Sequence, residues 1–310
     1  QRFFEPIRTL TMHYAALQRA VASGHRIFEL LDIPLDIADK PEAKPIGDVD
    51  GRVEFKNVTF GYKPERPILR NISFVAEPGQ TIALVGPTGS GKTSITALAH
   101  RFYDVQQGSI SIDGQDIRDV TQESIGHVMG MVLQEPFLFS KSVLENVSYN
   151  TENATREDVV AACKIIGAHD FVMQLDNGYD TTLEQRGSNL SVGQRQLLSF
   201  ARALVADPKI LVLDEATANI DSYTERIIQE ALKKLLEGRT ALVIAHRLST
   251  IRNSNQIIVV RDGEIVEKGT HDELLAETGL YAQLWQTNYT SFDDIAGNAD
   301  SITGAPISST

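Results

Sequence analysis

Gly86-Pro87-Thr88-Gly89-Ser90-Gly91-Lys92-Thr93 sets glycines, a lysine and a hydroxyl in an order suited to folding a backbone around an anion. Glycines let the N–H groups point inward, and a helix starting near Thr93 would aim its positive end at the same place. Lys92 would then reach the β and γ phosphates of a nucleotide, and the Thr93 hydroxyl would bind Mg2+. A Gly-rich turn with a chance Lys-Thr is the plain alternative. The apolar run Ile82 to Val85 before the loop and the helical residues after it favour phosphate binding.

A second signal lies far downstream, where Ile210-Leu211-Val212-Leu213 ends in Asp214-Glu215. That places two carboxylates at a strand end, the edge where open α/β sheets bind ligands. Asp214 is assigned to Mg2+ and Glu215 to polarising an attacking water, because neighbours at a strand end point in different directions. By itself such a pair also suits a solvated turn. His246 follows the next apolar strand and could hydrogen-bond a γ-phosphate at the same edge, although a lone histidine also serves structural ends. Gln134, in Leu133-Gln134-Glu135-Pro136, offers a neutral amide able to contact metal or water without adding charge. Ser191 and Gln194 have capping-box spacing at the start of a helix running through Leu204. A capped N-terminus is an anion site; it is also how ordinary helices begin.

These residues need elements to hold them. Val53, Phe55, Val58 and Phe60 alternate as strands do, and Asn71 to Val75 supplies another strand before a turn at Pro78-Gly79. Short apolar strands recur at Ile82 to Val85, Ile210 to Leu213, Ala241 to Ile244 and Ile257 to Val260, with helical stretches between them, so the pattern is α/β. From about Val143 to Leu204 helix signals dominate, at Arg156 to Ile166, His169 to Gln174 and Gln194 to Leu204, and predict a helical insertion between two halves of a sheet. Residues 1–33 read as a helix whose apolar seam includes Phe3, Ile7, Leu10, Tyr14, Leu17 and Val21. The seam suits either a helix packed on this chain or the cytoplasmic end of a helix that continues upstream. Residues 34–50, with Pro34, Pro41 and Pro45, read as a linker, and residues 290–310 lack periodicity and read as a disordered tail.

Composition narrows the function. With 29 Lys+Arg against 41 Asp+Glu, the formal charge of −12 repels phosphate backbones, so no nucleic-acid partner is expected. A single cysteine, Cys163, and the absence of a leader-like opening point to a reducing compartment such as the cytosol. The apolar runs are far below the ~20 residues needed to span hydrocarbon.

Together these motifs resemble the nucleotide-binding domain of ABC transporters, specifically the exporter type, over about residues 1–290. The phosphate loop, Gln134 of the Q-loop, Ser191 to Gln194 of the signature, Asp214-Glu215, Asp221 of the D-loop and His246 of the H-loop stand in the family's order. Tyr62, in Phe60-Gly61-Tyr62, is similar to the family's A-loop aromatic that stacks on adenine. Gln134 to Phe139 followed by Glu145-Asn146-Val147 resembles exporters more than importers or soluble relatives. The opening segment is similar to the end of an exporter's last transmembrane helix and its linker.

The resemblance implies a P-loop NTPase (RecA-like) core with an antiparallel β subdomain and an inserted α-helical subdomain. The ABC ATPase domain would cover 51–289 and the helical subdomain about 135–204. Expected cofactors are ATP and Mg2+. Catalysis would rest on Glu215, His246 and Gln134; nucleotide binding on Tyr62, Gly86 to Thr93 and Asp221; metal binding on Thr93, Gln134 and Asp214. Ser191, Gly193 and Gln194 would close the phosphate loop of a second ABC ATPase domain meeting this one head to tail. Transmembrane domains of an exporter are the other expected partner, at the cytoplasmic face of the cell membrane.

Three departures from the family pattern concern surfaces offered to that second subunit. Val192 stands where glycine is usual, Leu183-Glu184-Gln185-Arg186-Gly187 replaces Val-Gly-Glu-Arg-Gly, and Ala218-Asn219-Ile220-Asp221 replaces Ser-Ala-Leu-Asp. The groups acting on this chain's own nucleotide match throughout. That asymmetry suggests a heterodimer with one degenerate site, against a homodimer that tolerates the valine. A soluble ABC-type ATPase acting on nucleic acid or ribosomes, and a regulatory subunit without turnover, are the competing functions. Acidic charge and the opening seam argue against the first, Glu215 and His246 against the second.

Overall fold

A computed structural model describes residues 3–34, 37–63, 65–149, 151, 153–214, 221–245 and 248–287. Two units divide between Ala38 and Asp39. The first holds α1 (Phe4–Leu31), none of whose residues is buried, so Ile7, Leu10, Tyr14, Leu17 and Val21 of its seam are exposed. Among the described residues no helix is long and apolar enough to cross a membrane.

The second unit runs β1 (Val53–Phe60), β2 (Leu69–Ala76), β3 (Thr81–Val85), α2 (Lys92–Ala99), β4 (Gln107–Ile112), β5 (Gln115–Asp116), α3 (Gln122–Val128) and β6 (Met129–Val132). It continues with α4 (Val143–Val147), α5 (Arg156–Ile166), α6 (His169–Met173), α7 (Val192–Ala206), β7 (Ile210–Asp214), α8 (Ser222–Leu236) and β8 (Thr240–Ile244). After these come α9 (Leu248–Arg252), β9 (Gln256–Arg261), β10 (Glu264–Gly269), α10 (His271–Ala276) and a last helix over 280–287.

The strands form two sheets. One has the order β2-β1-β4-β5 and is antiparallel. The other has the order β10-β9-β3-β8-β7-β6, parallel from β9 to β6 with β10 antiparallel at its edge. Strands buried on both faces read as continuous apolar runs, and here successive residues feed opposite cores. Ala83, Leu211, Val243 and Val259 join the helices α5, α7 and α8 in one core. Ile82, Val212, Leu242 and Ile258 face the other, filled by α2 and the antiparallel sheet. Helices α4 to α7 lie in sequence between β6 and β7. The architecture is a P-loop NTPase core with an antiparallel β subdomain and an inserted helical subdomain.

Local chemistry sets the helix boundaries. Thr155 and Asp158 make a reciprocal capping box at the start of α5, and Gly167 ends that helix in the left-handed region. The box expected at Ser191 and Gln194 is present, and α7 begins at Val192. Within the segment expected as a linker, Ile46 and Val49 are buried and Asp39 bonds the Arg101 guanidinium at 3.2 Å. Arg101, almost fully buried, also donates to the Val120 carbonyl at 2.9 Å. The expected tail lies outside the described residues.

Candidate functional site

Parallel pairing brings three chain-distant segments to one edge. The register places Leu84 beside Ile244 and Ile244 beside Asp214, so the carboxyl ends of β3, β8 and β7 share one row. Val132 pairs with Leu213, which brings the end of β6, two residues before Gln134, to the same edge. Gln134 itself is exposed. Glu215 and His246, the expected base and γ-phosphate contact, lie outside the described residues.

The loop after β3 has the backbone that its glycines were expected to allow. Gly86, Gly89 and Gly91 have φ of 149°, 82° and 107°. A Cβ on Gly86 would strike the Val260 carbonyl, and one on Gly91 would come within 2.5 Å of Leu69 Cδ2. Lys92 is buried, and its Nζ donates to the carbonyls of Gly86 at 2.8 Å and Pro87 at 2.9 Å. Burial pulls the Lys92 pKa below the usual lysine range, and the Asp214 carboxylate opposes that shift. A buried ammonium among loop carbonyls, at the start of a helix, is a place where an incoming anion gains more than it would in water. Thr88 and Thr93 are exposed, Ser90 is buried, and the Ser90 N–H closes the loop on the Pro87 carbonyl at 3.2 Å.

Mg2+ would find oxygen donors here. Thr93 supplies a hydroxyl, Gln134 an amide carbonyl and Asp214 a carboxylate; among the described residues no cluster of three or more His, Cys, Asp or Glu could cage an ion. That donor set fits a small hard cation that uses one carboxylate together with phosphate oxygens.

Tyr62 stands on the strap after β1. Its ring meets Phe60 and Tyr103 edge-on at 5.2 and 5.0 Å between centroids, and its hydroxyl lies 3.2 Å from Ser94 Oγ on α2. Half of the residue is exposed, leaving a face available for stacking. Gln106, which sequence reasoning passed over, fixes this strap: its Oε1 accepts the Gly61 N–H at 2.8 Å and its Nε2 donates to the Gly61 carbonyl at 2.7 Å. Only the fold brings Gln106 to Gly61, so spacing carried no signal. Gln106→Ala is expected to weaken ATP binding about fivefold, the order set by losing such bonds, and to leave inorganic tripolyphosphate binding unchanged. Competition titration reads both; equal weakening would move Gln106 to the phosphate end.

The remaining expected residues sit at the starts of α7 and α8. Ser191 is exposed, its Oγ accepts the Gln194 N–H at 3.2 Å, and Gln194 Oε1 accepts the Ser191 N–H at 2.9 Å. Gly193 is buried, and a Cβ there would run into the Thr224 methyl, so α7 and α8 need this glycine for close approach. Val192 points away from the core and is 43% exposed. Asp221 caps α8, its Oδ1 accepting the Thr224 N–H at 2.9 Å, and that bond holds the carboxyl below the ordinary range.

Comparison with known proteins gives a consistent set. Residues 69–218 match the ABC transporter family. An uncharacterized ABC transporter ATP-binding protein, YknV of Bacillus subtilis, is 48% identical over 289 residues, covering 93% of this chain and 48% of that protein. A fatty acid ABC transporter ATP-binding/permease protein of Mycobacterium tuberculosis is 45% identical, covering 92% of this chain and 45% of its own length. An ATP-dependent lipid A-core flippase of Syntrophus aciditrophicus is 43% identical, with 92% and 47% covered. Among solved structures, a bacterial Atm1-family ABC exporter with ATP bound superposes with a TM-score of 0.82 at 40% identity, covering 93% of this chain and 50% of that one. The chain spans about half the length of the curated relatives it matches.

Proposed function

We propose that this chain, which belongs to the ABC transporter family, binds and hydrolyses ATP as the motor of an exporter at the cytoplasmic face of the cell membrane. The observation that most supports this reading is the shared strand edge, where the glycine loop, Asp214 and the segment leading to Gln134 converge from distant parts of the chain. In this reading Tyr62 stacks on adenine, the loop N–H groups and Lys92 hold the phosphates, and Thr93, Gln134 and Asp214 hold Mg2+. When bound, the ion neutralises charge on the β and γ phosphates. Glu215 takes a proton from the attacking water, and His246 donates a hydrogen bond to the γ-phosphate.

An apolar surface beside Gln134 supports a role coupled to transmembrane domains. Leu133, Phe137 and Tyr149 are exposed, Phe139 stacks on Tyr149 at 4.3 Å, and Arg202 braces the patch by donating to the Phe137 carbonyl at 3.0 Å. Aromatic groups held in place yet open to solvent mark interaction surfaces.

The proposed assembly is a heterodimer. Val192 is exposed beside the Ser191 cap, on the surface this chain would offer to its partner's nucleotide. The partner's site would then be degenerate in its signature contacts, while the site on this chain's own loop carries turnover. Phosphate release from the assembled transporter tests both levels. Glu215→Gln in this chain is expected to abolish most turnover, and the equivalent change in the partner to cost little. Unchanged release after Glu215→Gln would overturn the motor assignment; equal losses from both changes would leave the motor and overturn the asymmetry.

A further inference from the structure

The turn between β9 and β10 is remote in sequence from the glycine loop and packs directly against it. Asp262 and Gly263 both have left-handed φ, 52° and 81°, and join the paired residues Arg261 and Glu264 as a two-residue hairpin turn. Gly263 is buried. Its N–H donates to the Ser90 carbonyl at 3.2 Å, and its own carbonyl accepts the Arg70 N–H at 2.8 Å. The Arg70 side chain donates to the Asp262 carbonyl at 3.2 Å. A Cβ on Gly263 would collide with the Ile68 carbonyl. Two neighbouring contacts confine the ends of the loop: the Val260 carbonyl against Gly86, and Leu69 against Gly91.

Peptide planarity gives these contacts a consequence. In a trans peptide the C=O and the following N–H point to opposite sides. Anchoring the Ser90 carbonyl on the hairpin therefore turns the Gly91 N–H away from it. Gly91 is the cap residue before α2, at a helix start where unpaired N–H groups attract anions. We infer that the Asp262-Gly263 turn is a positioning element that presents the Gly91 N–H to a bound phosphate. This rests on the nucleotide reading proposed above.

Gly114 provides a matched control, since its φ is also 81° and no atom of the described residues lies within 4 Å of a Cβ built on it. Gly263→Ala and Gly114→Ala therefore share the backbone strain, and only the first drives the turn into the Ile68 carbonyl. Amide hydrogen exchange over residues 86–93 without nucleotide is expected to be about tenfold faster in Gly263→Ala and unchanged in Gly114→Ala. ADP affinity is expected to fall about tenfold in Gly263→Ala alone, with adenosine affinity unchanged in both. Arg70→Ala removes the exposed guanidinium bond to Asp262 without a clash and is expected to speed loop exchange about twofold, which keeps the test open if Gly263→Ala does not fold. Equal loop exchange in the two glycine variants overturns the inference, as does equal ADP affinity. If the unsubstituted chain binds no ADP, the nucleotide reading fails, and the exchange rates alone judge the contact between turn and loop.

Discussion

Lys92→Ala is expected to lower ATP turnover by about 10²–10³, the cost typical of removing one preorganised electrostatic contact from a developing charge. The Nζ group is already inside the loop, 2.8 Å from the Gly86 carbonyl and 2.9 Å from the Pro87 carbonyl. Burial disfavours its charge, so an entering phosphate relieves an existing cost as well as adding an attraction. The same balance implies a small effect on folding. Losing the bonds to the two carbonyls costs about 1 kcal/mol each, and removing a desolvated ammonium offsets part of that. Phosphate release and urea unfolding should separate the two effects. A loss of turnover below tenfold, or unfolding that explains the loss, contradicts this role for Lys92.

Acid should weaken the fold through His100 before it weakens it through the carboxylates. His100 caps the C-terminus of α2 and stacks on Phe102 at 5.4 Å between ring centroids. Its Nε2 is sealed from solvent with no hydrogen-bond partner among the described residues, and burial pushes its pKa down to about 4, against a weaker opposing bond with the Gly130 backbone. Protonation would place a charge in a site largely stripped of water, which the single Gly130 backbone bond only partly offsets. The folded pKa lies below the unfolded value of about 6.5, so the stabilising contribution is complete above that value. It is lost as pH falls from about 6.5 towards 4, because the unfolded chain takes up the proton first. Between pH 7 and pH 5 the unsubstituted protein should lose about 2 kcal/mol more stability than His100→Gln, from urea unfolding at each pH. His271, whose pKa is also lowered by burial, is common to both proteins and cancels. Parallel pH dependence in the two proteins would contradict the assignment.

The parts of the fold legible in the sequence are those carried by short-range chemistry. Ile82 to Val85, Ile210 to Leu213 and Ala241 to Ile244 stand out because strands buried on both faces are apolar throughout. Ser191 and Gln194 announce α7 because a cap is a local bond. By contrast, β4 begins Gln107-Gly108-Ser109 and places only Ile110 and Ile112 in the core, too few for a period to emerge. β10 alternates only weakly because it is a sheet edge with one strand neighbour.

The candidate site divides along the same line. Glycines at 86, 89 and 91 were legible because their φ angles demand that residue type. Gln106, Gly263 and the Asp39–Arg101 pair were not, since each acts on a group brought near only by folding. Gly193 shows how one residue can satisfy two readings: its resemblance pointed to a partner's phosphate, and its packing on Thr224 demands glycine in any case.

Calorimetric titration of the chain with ATP and Mg2+ tests the central claim most directly, that the shared carboxyl edge of the parallel strands is a nucleotide site. The expected result is one ATP bound per chain, with binding weakened in Lys92→Ala and weakened by about 1–3 kcal/mol in Tyr62→Ala. No binding at millimolar ATP, or binding that neither substitution changes, would contradict it.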